Sequence, residues 1–478
     1  MRIKAGSFFR TIALPVLLSS FLISYSFLGT LQALTIEEER NLGDQVLREV
    51  SAKFTLIQDP VLLGYLNRLG QETLKQAGPQ PYPFQFYLLK DSQLNAFSVP
   101  GGHIFITTGI IEIMDSEAEL AGLLGHEIAH VTNHHISRRM EQEKKINLAT
   151  MAIALASVFA GDPRIASAAI TGSMATAISI SLKYSREDED EADNFGFKYM
   201  AREGFDPKGM IDLLDKIRRW GSYGSETIPA YLQTHPITGD RMSQIDQLRH
   251  RYLDQGPWSR GSSEDFRRFQ VISLAKYGDI QKARNRFQVW EKDSSSNPWF
   301  DYGLGWLYLR EGKFDAAVGA FEKTLAQRPR DPYFLRDLGQ AYFSKGQYDL
   351  AIQKLGQAAL INPQDGSNIF LLARAYQEKG EAQLALDNFN RVFQLNPNDG
   401  EAHYYLGIAY GNLKDLGQAH FHFGKSFQIK GDTEKALFHF RLALKYSEQD
   451  ERKKELLERE IKSLTGKIEK APSGKGPN

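Results

Sequence analysis

With 58 Lys and Arg against 58 Asp and Glu, this 478-residue chain carries no formal net charge, which removes the electrostatic footprint of a nucleic-acid binder. Its length and an apolar fraction of 42% leave room for two or three domains, each with its own core. It has no cysteine, so disulfides, thiol catalysis, cysteine-held metals and a lipid-modified N-terminal cysteine are all excluded. Any metal must be held by histidines and carboxylates.

Arg2, Lys4 and Arg10 precede an apolar run from Ile12 to about Leu31, and no acidic residue comes before Glu37. A basic start followed by such a run marks residues 1–33 as a secretory signal, or as an uncleaved signal anchor, since the run is long enough to span a bilayer. Thr35-Ile-Glu-Glu38 has the spacing of a capping box, and helices are expected from about Ile36 to Phe54 and from Pro60 to Gln76. Gly78-Pro79-Gln80-Pro81 breaks the chain, and Phe84 to Leu88 alternates as a strand. Asn95 to Gly109 holds a Pro100-Gly101-Gly102 turn followed by a β-branched and aromatic run. It is either an ordinary hairpin or a strand whose free edge can receive an extended peptide. His103, one position past the turn, is expected to be a surface or packing residue.

Leu120-Ala-Gly-Leu-Leu-Gly-His126-Glu127-Ile-Ala-His130 is the most informative stretch. On a helix, His126 and His130 stack one turn apart and can take two corners of a tetrahedral zinc site, with Glu127 beside them as general base. The helix is expected to run from Asp115 to about Arg139. His134 and His135, further along it, are expected to be structural or to support the ligands from behind, because a straight helix cannot bring three successive turns to one ion. A third ligand is needed. Tyr184 to Gly196 offers six carboxylates between Glu187 and Asp193, and on a helix Glu189 and Asp193 share a face. The same residues also suit a solvated acidic helix start, and spacing does not separate Glu189 from Glu191. Between these segments, residues 146–182 hold two Ala-rich stretches interrupted by Asp162 and Arg164. Core helices, a lid over the cleft, or a surface touching the bilayer fit better than a spanning hairpin.

His-Glu-Ile-Ala-His followed by Glu189-Asp-Glu191-Ala-Asp193, with Asn95-Ala-Phe-x-x-Pro-Gly-Gly upstream, resembles the gluzincin metalloproteases that include HtpX and the CAAX prenyl endopeptidases. The resemblance covers about Glu37 to Arg249. It implies one zinc ion per chain on His126, His130 and Glu189, with Asp193 supporting a ligand histidine. Thr234-His235-Pro236 followed by Arg241 is similar to a later motif of the family's exported branch. That implies a His235 near the metal, either a fourth ligand holding the enzyme latent or a catalytic residue, and an Arg241 that orients substrate or stabilises the oxyanion. Taken alone, His235 is a loop histidine. HtpX itself is membrane-embedded, which residues 146–182 do not match.

Past Gly256-Pro257 and Gly261-Ser-Ser263 the chain repeats every 34 residues: Leu304, Leu338, Leu372 and Leu406; Tyr308, Tyr342, Tyr376 and Tyr410; Ala317, Ala351, Ala385 and Ala419. This is the tetratricopeptide period, two antiparallel helices per unit. A final set, Gly431, Ala436 and Phe440, sits half a unit out of register. The expected architecture is mainly α. An α+β zincin-like domain with a small sheet (34–255) and a linker (256–263) precede an all-α repeat solenoid (264–464) and a disordered tail (465–478). The activity that the resemblance implies is zinc endopeptidase action in the periplasm on misfolded or stalled envelope proteins, outer-membrane proteins among them. The repeats would recruit unfolded substrates or outer-membrane assembly machinery. The alternative is a chaperone or assembly scaffold whose protease site is latent.

Overall fold

The computed structural model describes residues 34–140, 148–159, 184–222, 229–253, 258, 260, 264–293, 298–447 and 450–470. The leader expected at residues 1–33 and the second Ala-rich stretch lie outside them. The chain forms two compact units, residues 1–273 and 274–478. Among the described residues, no helix is long and apolar enough to cross a membrane.

The first unit opens with α1 (Ile36–Lys53), whose capping box is formed: Glu38 N–H donates to Thr35 Oγ1 and Thr35 N–H to Glu38 Oε2. Asp59 caps α2 (Pro60–Lys75), with Pro60 in the first turn, where its missing N–H costs nothing. Three strands follow, β1 (Gln85–Leu89), β2 (Ala96–Val99) and β3 (His103–Thr107), in the order β1-β3-β2. β1 and β3 are parallel, and β2 and β3 form an antiparallel hairpin around Pro100-Gly101-Gly102. Both glycines have positive φ, and a Cβ on Gly102 would lie 2.6 Å from the Pro83 carbonyl, so the turn demands glycine. β3 is the inner strand of the sheet, with β1 and β2 on its two sides.

Tyr87, Phe105 and Phe97 stack across the three strands at 4.8 Å. They belong to a core with Leu42, Val46 and Val50 of α1 and with Met151 and Leu155 of a later helix. That later helix is the described part of the first Ala-rich stretch. After α3 (Thr108–Glu112) comes α4 (Glu117–Thr132), capped by Ser116 and buried almost throughout. The expected continuation to Arg139 does not occur. Asn133 turns its amide back to the Ala129 carbonyl, His134 adopts φ 53, and a new short helix, α5 (His135–Met140), begins. α6 (Leu148–Phe159) packs on α1, so this part of the 146–182 segment is a core helix.

α7 (Arg186–Arg202) starts with a second capping box, Ser185 with Asp188, and is followed by α8 (Lys208–Ser222), α9 (Ala230–Thr234) and α10 (Gly239–Leu253). Gly125 of α4 faces Gly196 of α7, and a Cβ on Gly196 would lie 2.9 Å from the His126 backbone nitrogen. The two helices that carry the motif residues thus meet backbone to backbone. α11 (Glu264–Ile272) was expected to open the repeats but belongs to the first unit. Its Phe269 ring lies 4.8 Å from Tyr65, and the Gln270 amide donates to the Ile111 and Met114 carbonyls. Its apolar face already has a partner in α2, which moves the boundary past the 256–263 linker to Ser273.

In the second unit, a helix α12 (Ile280–Asp293) precedes four hairpins at the expected period: α13 (Pro298–Arg310) with α14 (Phe314–Gln327), α15 (Pro332–Ser344) with α16 (Tyr348–Ile361), α17 (Gly366–Glu378) with α18 (Ala382–Leu395), and α19 (Gly400–Asn412) with α20 (Leu416–Ile429). Asp331, Asp365 and Asp399 cap the first helices of the last three hairpins. Gly312, Gly346 and Gly380 turn the first three hairpins with positive φ, and Lys414 takes that role in the fourth with φ 64. Gly431 has the same conformation between α20 and α21 (Thr433–Tyr446). The half-unit slip is thus a hairpin that reuses α20. α22 (Glu451–Lys470) closes the stack, with Leu457 and Leu464 against Ala436 and Phe440. It runs through Lys470, so the first residues of the expected tail are helical.

Candidate metal centre

α4 supplies His126, Glu127 and His130, α7 supplies Glu189 and Asp193, and the segment around α9 and α10 supplies His235 and Arg241. All seven side chains named from the sequence converge, and all are between 0% and 3% exposed. His126 Nε2 lies 3.0 Å from His130 Nε2 and 3.3 Å from His235 Nδ1. Glu189 Oε1 is 3.5 Å from His130 Nε2 and 2.8 Å from His235 Nδ1, and Glu189 Oε2 is 3.7 Å from His126 Nε2. A regular tetrahedron with Zn–N bonds of about 2.0–2.1 Å has edges of about 3.3 Å. The observed edges bracket that value, so the donor set His126, His130, Glu189 and His235 fits one zinc ion.

Behind the ligands, Asp193 Oδ1 lies 2.9 Å from His126 Nδ1, which fixes the tautomer with Nε2 turned inward. Arg241 engages Asp193 through two parallel hydrogen bonds, Nε to Oδ2 at 2.7 Å and Nη2 to Oδ1 at 2.9 Å, and its Nη1 pairs with Glu189. Its guanidinium therefore organises carboxylates rather than standing free in the cleft. Burial alone would raise the Glu189 carboxyl, but Arg241 and His235 outweigh it and hold Glu189 well below the ordinary range. Asp193 is likewise lowered against its burial, by Arg241 and His126. Burial, reinforced by His126 and His235, pushes His130 well down, toward the neutral form that a metal requires.

Three neighbours carried no sequence signal. Ser98 on β2 donates to Glu127 Oε2 at 2.9 Å, the Tyr184 ring lies 3.7 Å from His130, and Tyr231 stacks on His235 at 4.5 Å. An Asn-Ala-Phe-Ser segment beside a metal helix hints at Ser98 only once β2 is known to face α4. His103 and His134 stay outside the cluster. His103 Nδ1 meets the Tyr87 hydroxyl at 3.0 Å, and His134 Nδ1 meets Glu39 at 2.7 Å. A cleft of about 450 Å³, flanked by Tyr184, Glu189, Pro236 and Arg241, opens beside the ligands.

Residues 61–249 match Peptidase family M48, and residues 302–367 and 370–425 match the tetratricopeptide repeat. This chain carries an M48 peptidase domain followed by tetratricopeptide repeats. It is similar to the beta-barrel assembly-enhancing protease of Yersinia pestis, 31% identical over 310 residues, which cover 62% of this chain and 61% of that one. A putative beta-barrel assembly-enhancing protease of Vibrio cholerae is 32% identical over 324 residues, 66% of either chain. The metalloprotease LoiP of Escherichia coli is 24% identical over 225 residues, 45% of this chain and 81% of the relative. The alignment thus spans about 61% of the length of the first of these relatives. The M48 match holds every ligand of the cluster, and the repeat match falls wholly in the second unit.

Proposed function

We propose that this chain is an exported, zinc-dependent endopeptidase that hydrolyses peptide bonds in misfolded or stalled envelope proteins, with its repeats recruiting substrate or assembly machinery. The observation that carries the reading is the convergence of His126, His130, Glu189 and His235 around one point, with the Glu127 carboxylate beside them. Bound zinc supplies Lewis-acid polarisation of a scissile carbonyl and a lowered pKa for water. His126 and His130 would hold it through Nε2 and Glu189 through its carboxylate. Ser98 occupies Glu127 Oε2, which leaves Oε1 to take a proton from the attacking water and return it to the departing amine nitrogen. Asp193 and Arg241 keep the ligands charged and oriented. The basic-then-apolar residues 1–33 support export to the periplasm, and relatives named for β-barrel assembly support outer-membrane proteins as the substrate class. Glu127→Gln should keep its zinc and lose cleavage of an unfolded substrate such as casein. Casein cleavage by a clean preparation of that variant would sink the mechanism.

A second reading rests on His235. Its Nδ1 lies close enough to Glu189 and His126 to be a fourth ligand, the position that water needs. On that reading the resting protein is a latent protease that serves as a chaperone or assembly scaffold. His235→Ala should then raise casein turnover above wild type. A slower variant would assign His235 to the chemistry instead.

A further inference from the structure

The two histidines of α4 are held from behind by different chemistries. His126 Nδ1 meets the Asp193 carboxylate directly. His130 Nδ1 meets another imidazole, His135 Nδ1, at 2.7 Å, and the rings pack edge to face. His135 is fully buried, and its Nε2 lies 3.1 Å from Glu191 Oε2, which also accepts from Arg138 at 2.8 Å. With Glu191 ionised and both rings neutral, one proton assignment satisfies every contact. His135 carries its proton on Nε2 and donates it to Glu191, so its Nδ1 accepts, and His130 must carry its own proton on Nδ1. The lone pair of His130 Nε2 is then turned toward His126, Glu189 and His235.

The backbone is bent to achieve this. Five residues along a straight helix, a side chain points about 140° away from the starting face, where it could not lie under His130. His134 breaks the helix with φ 53, a conformation that residues with a Cβ rarely adopt, and is tied down by Glu39. Strain of this kind beside a functional centre is held in place for what it positions.

We propose that His135 is a positioning residue for the metal centre, accepting the Nδ1 proton of His130 and passing the orientation to Glu191, as Asp193 does alone for His126. The inference rests on the metal reading above. Zinc affinity of the full chain, measured by competition with a chromogenic chelator, tests it without recourse to activity. His135→Ala should weaken zinc binding about 10–100-fold, the usual loss for an outer-shell partner. His135→Gln, whose amide oxygen can accept the same proton, should recover most of that loss. Glu191→Ala, at a partly exposed position that leaves the core intact, should weaken binding in the same direction and serves where a His135 variant does not fold. The ligand-field absorption of the cobalt-loaded protein should shift in His135→Ala and return in His135→Gln. Zinc affinities equal to wild type in His135→Ala and Glu191→Ala, or a Gln variant no better than Ala, would overturn the proposal. A wild type that takes up no zinc would overturn the metal reading itself, so the two failures are distinct.

Discussion

The two units handle buried charge in opposite ways. In the M48 unit, Glu127, Glu189, Asp193 and Arg241 are buried together with three histidines, drawn from segments between positions 126 and 241. In the repeat unit, helices meet through Ala, Leu and aromatic residues 34 positions apart. Among its described residues, one buried ion pair stands out: Arg336 with Asp337, which also accepts from Tyr302 and Trp306. A stack of hairpins needs only its neighbours, whereas the metal centre exists only when distant segments arrive together. Buried charge without its partner costs several kcal/mol, so the first unit is specified by mutual dependence and the second by repetition.

Removing one cation from each unit tests this contrast. Arg241→Ala strands the Asp193 and Glu189 carboxylates together and should destabilise the metal-free M48 unit by about 3–5 kcal/mol in urea unfolding. Zinc should narrow that deficit, because an ion would neutralise Glu189. Arg336→Ala leaves Asp337 with two remaining donors and should cost the repeat unit only about 1–3 kcal/mol. Equal losses would break the contrast. A smaller wedge should also be felt at the metal: Gly196→Ala places a methyl 2.9 Å from the His126 nitrogen and must push α7 away from α4. A cost of about 1–3 kcal/mol and a measurable loss of zinc affinity are expected, since overpacking against backbone cannot be relieved by a rotamer change.

The same contrast explains what could be seen in the sequence. The repeats were legible because periodicity is a sequence property, and the 34-residue recurrence falls on four hairpins. Their irregularities were less so. Lys414 stands where Gly312, Gly346 and Gly380 predict a glycine, and only the backbone shows that it takes the same left-handed turn. The motif gave His126, Glu127 and His130 by local helical spacing, whereas Glu189 and His235 needed a family resemblance, because nothing local separates a ligand from a solvated carboxylate or a loop histidine. The helix break at His134 and the partnership of His135 with His130 left no trace in hydrophobic spacing. The linker composition at 256–263 says where the chain is loose, not which side claims the next helix, and α11 falls with the first unit.

The repeat unit also carries a pH dependence made by burial. His422 and His403 share an Nδ1···Nδ1 contact at 2.9 Å beneath Tyr410. Burial, with His403 beside it, lowers His422 from 6.5 to about 3. A folded value below the unfolded one means the contribution to stability is fully present above about pH 6.5 and is lost as the pH falls toward 3. Between pH 7.5 and 5.5 this single group should remove about 1.4 kcal/mol of repeat-unit stability. Urea titrations at the two pH values check it, and His422→Phe should flatten the difference.

The smallest effect is also the sharpest discriminator, because it applies the Gly196 substitution to the other unit. Gly356 lies in the interior of α16, has no positive φ, and a Cβ built on it meets nothing within 4 Å. Gly356→Ala therefore adds no clash and removes backbone freedom from the unfolded chain, which should stabilise the repeat unit by about 0.5–1 kcal/mol in urea unfolding. One chemical change should thus have opposite signs in the two units. Opposite signs follow if α4 and α7 are pressed together to assemble a centre while the repeat helices are spaced by side chains. A destabilising Gly356→Ala would mean that α16 packs more tightly than the open space around Gly356 indicates.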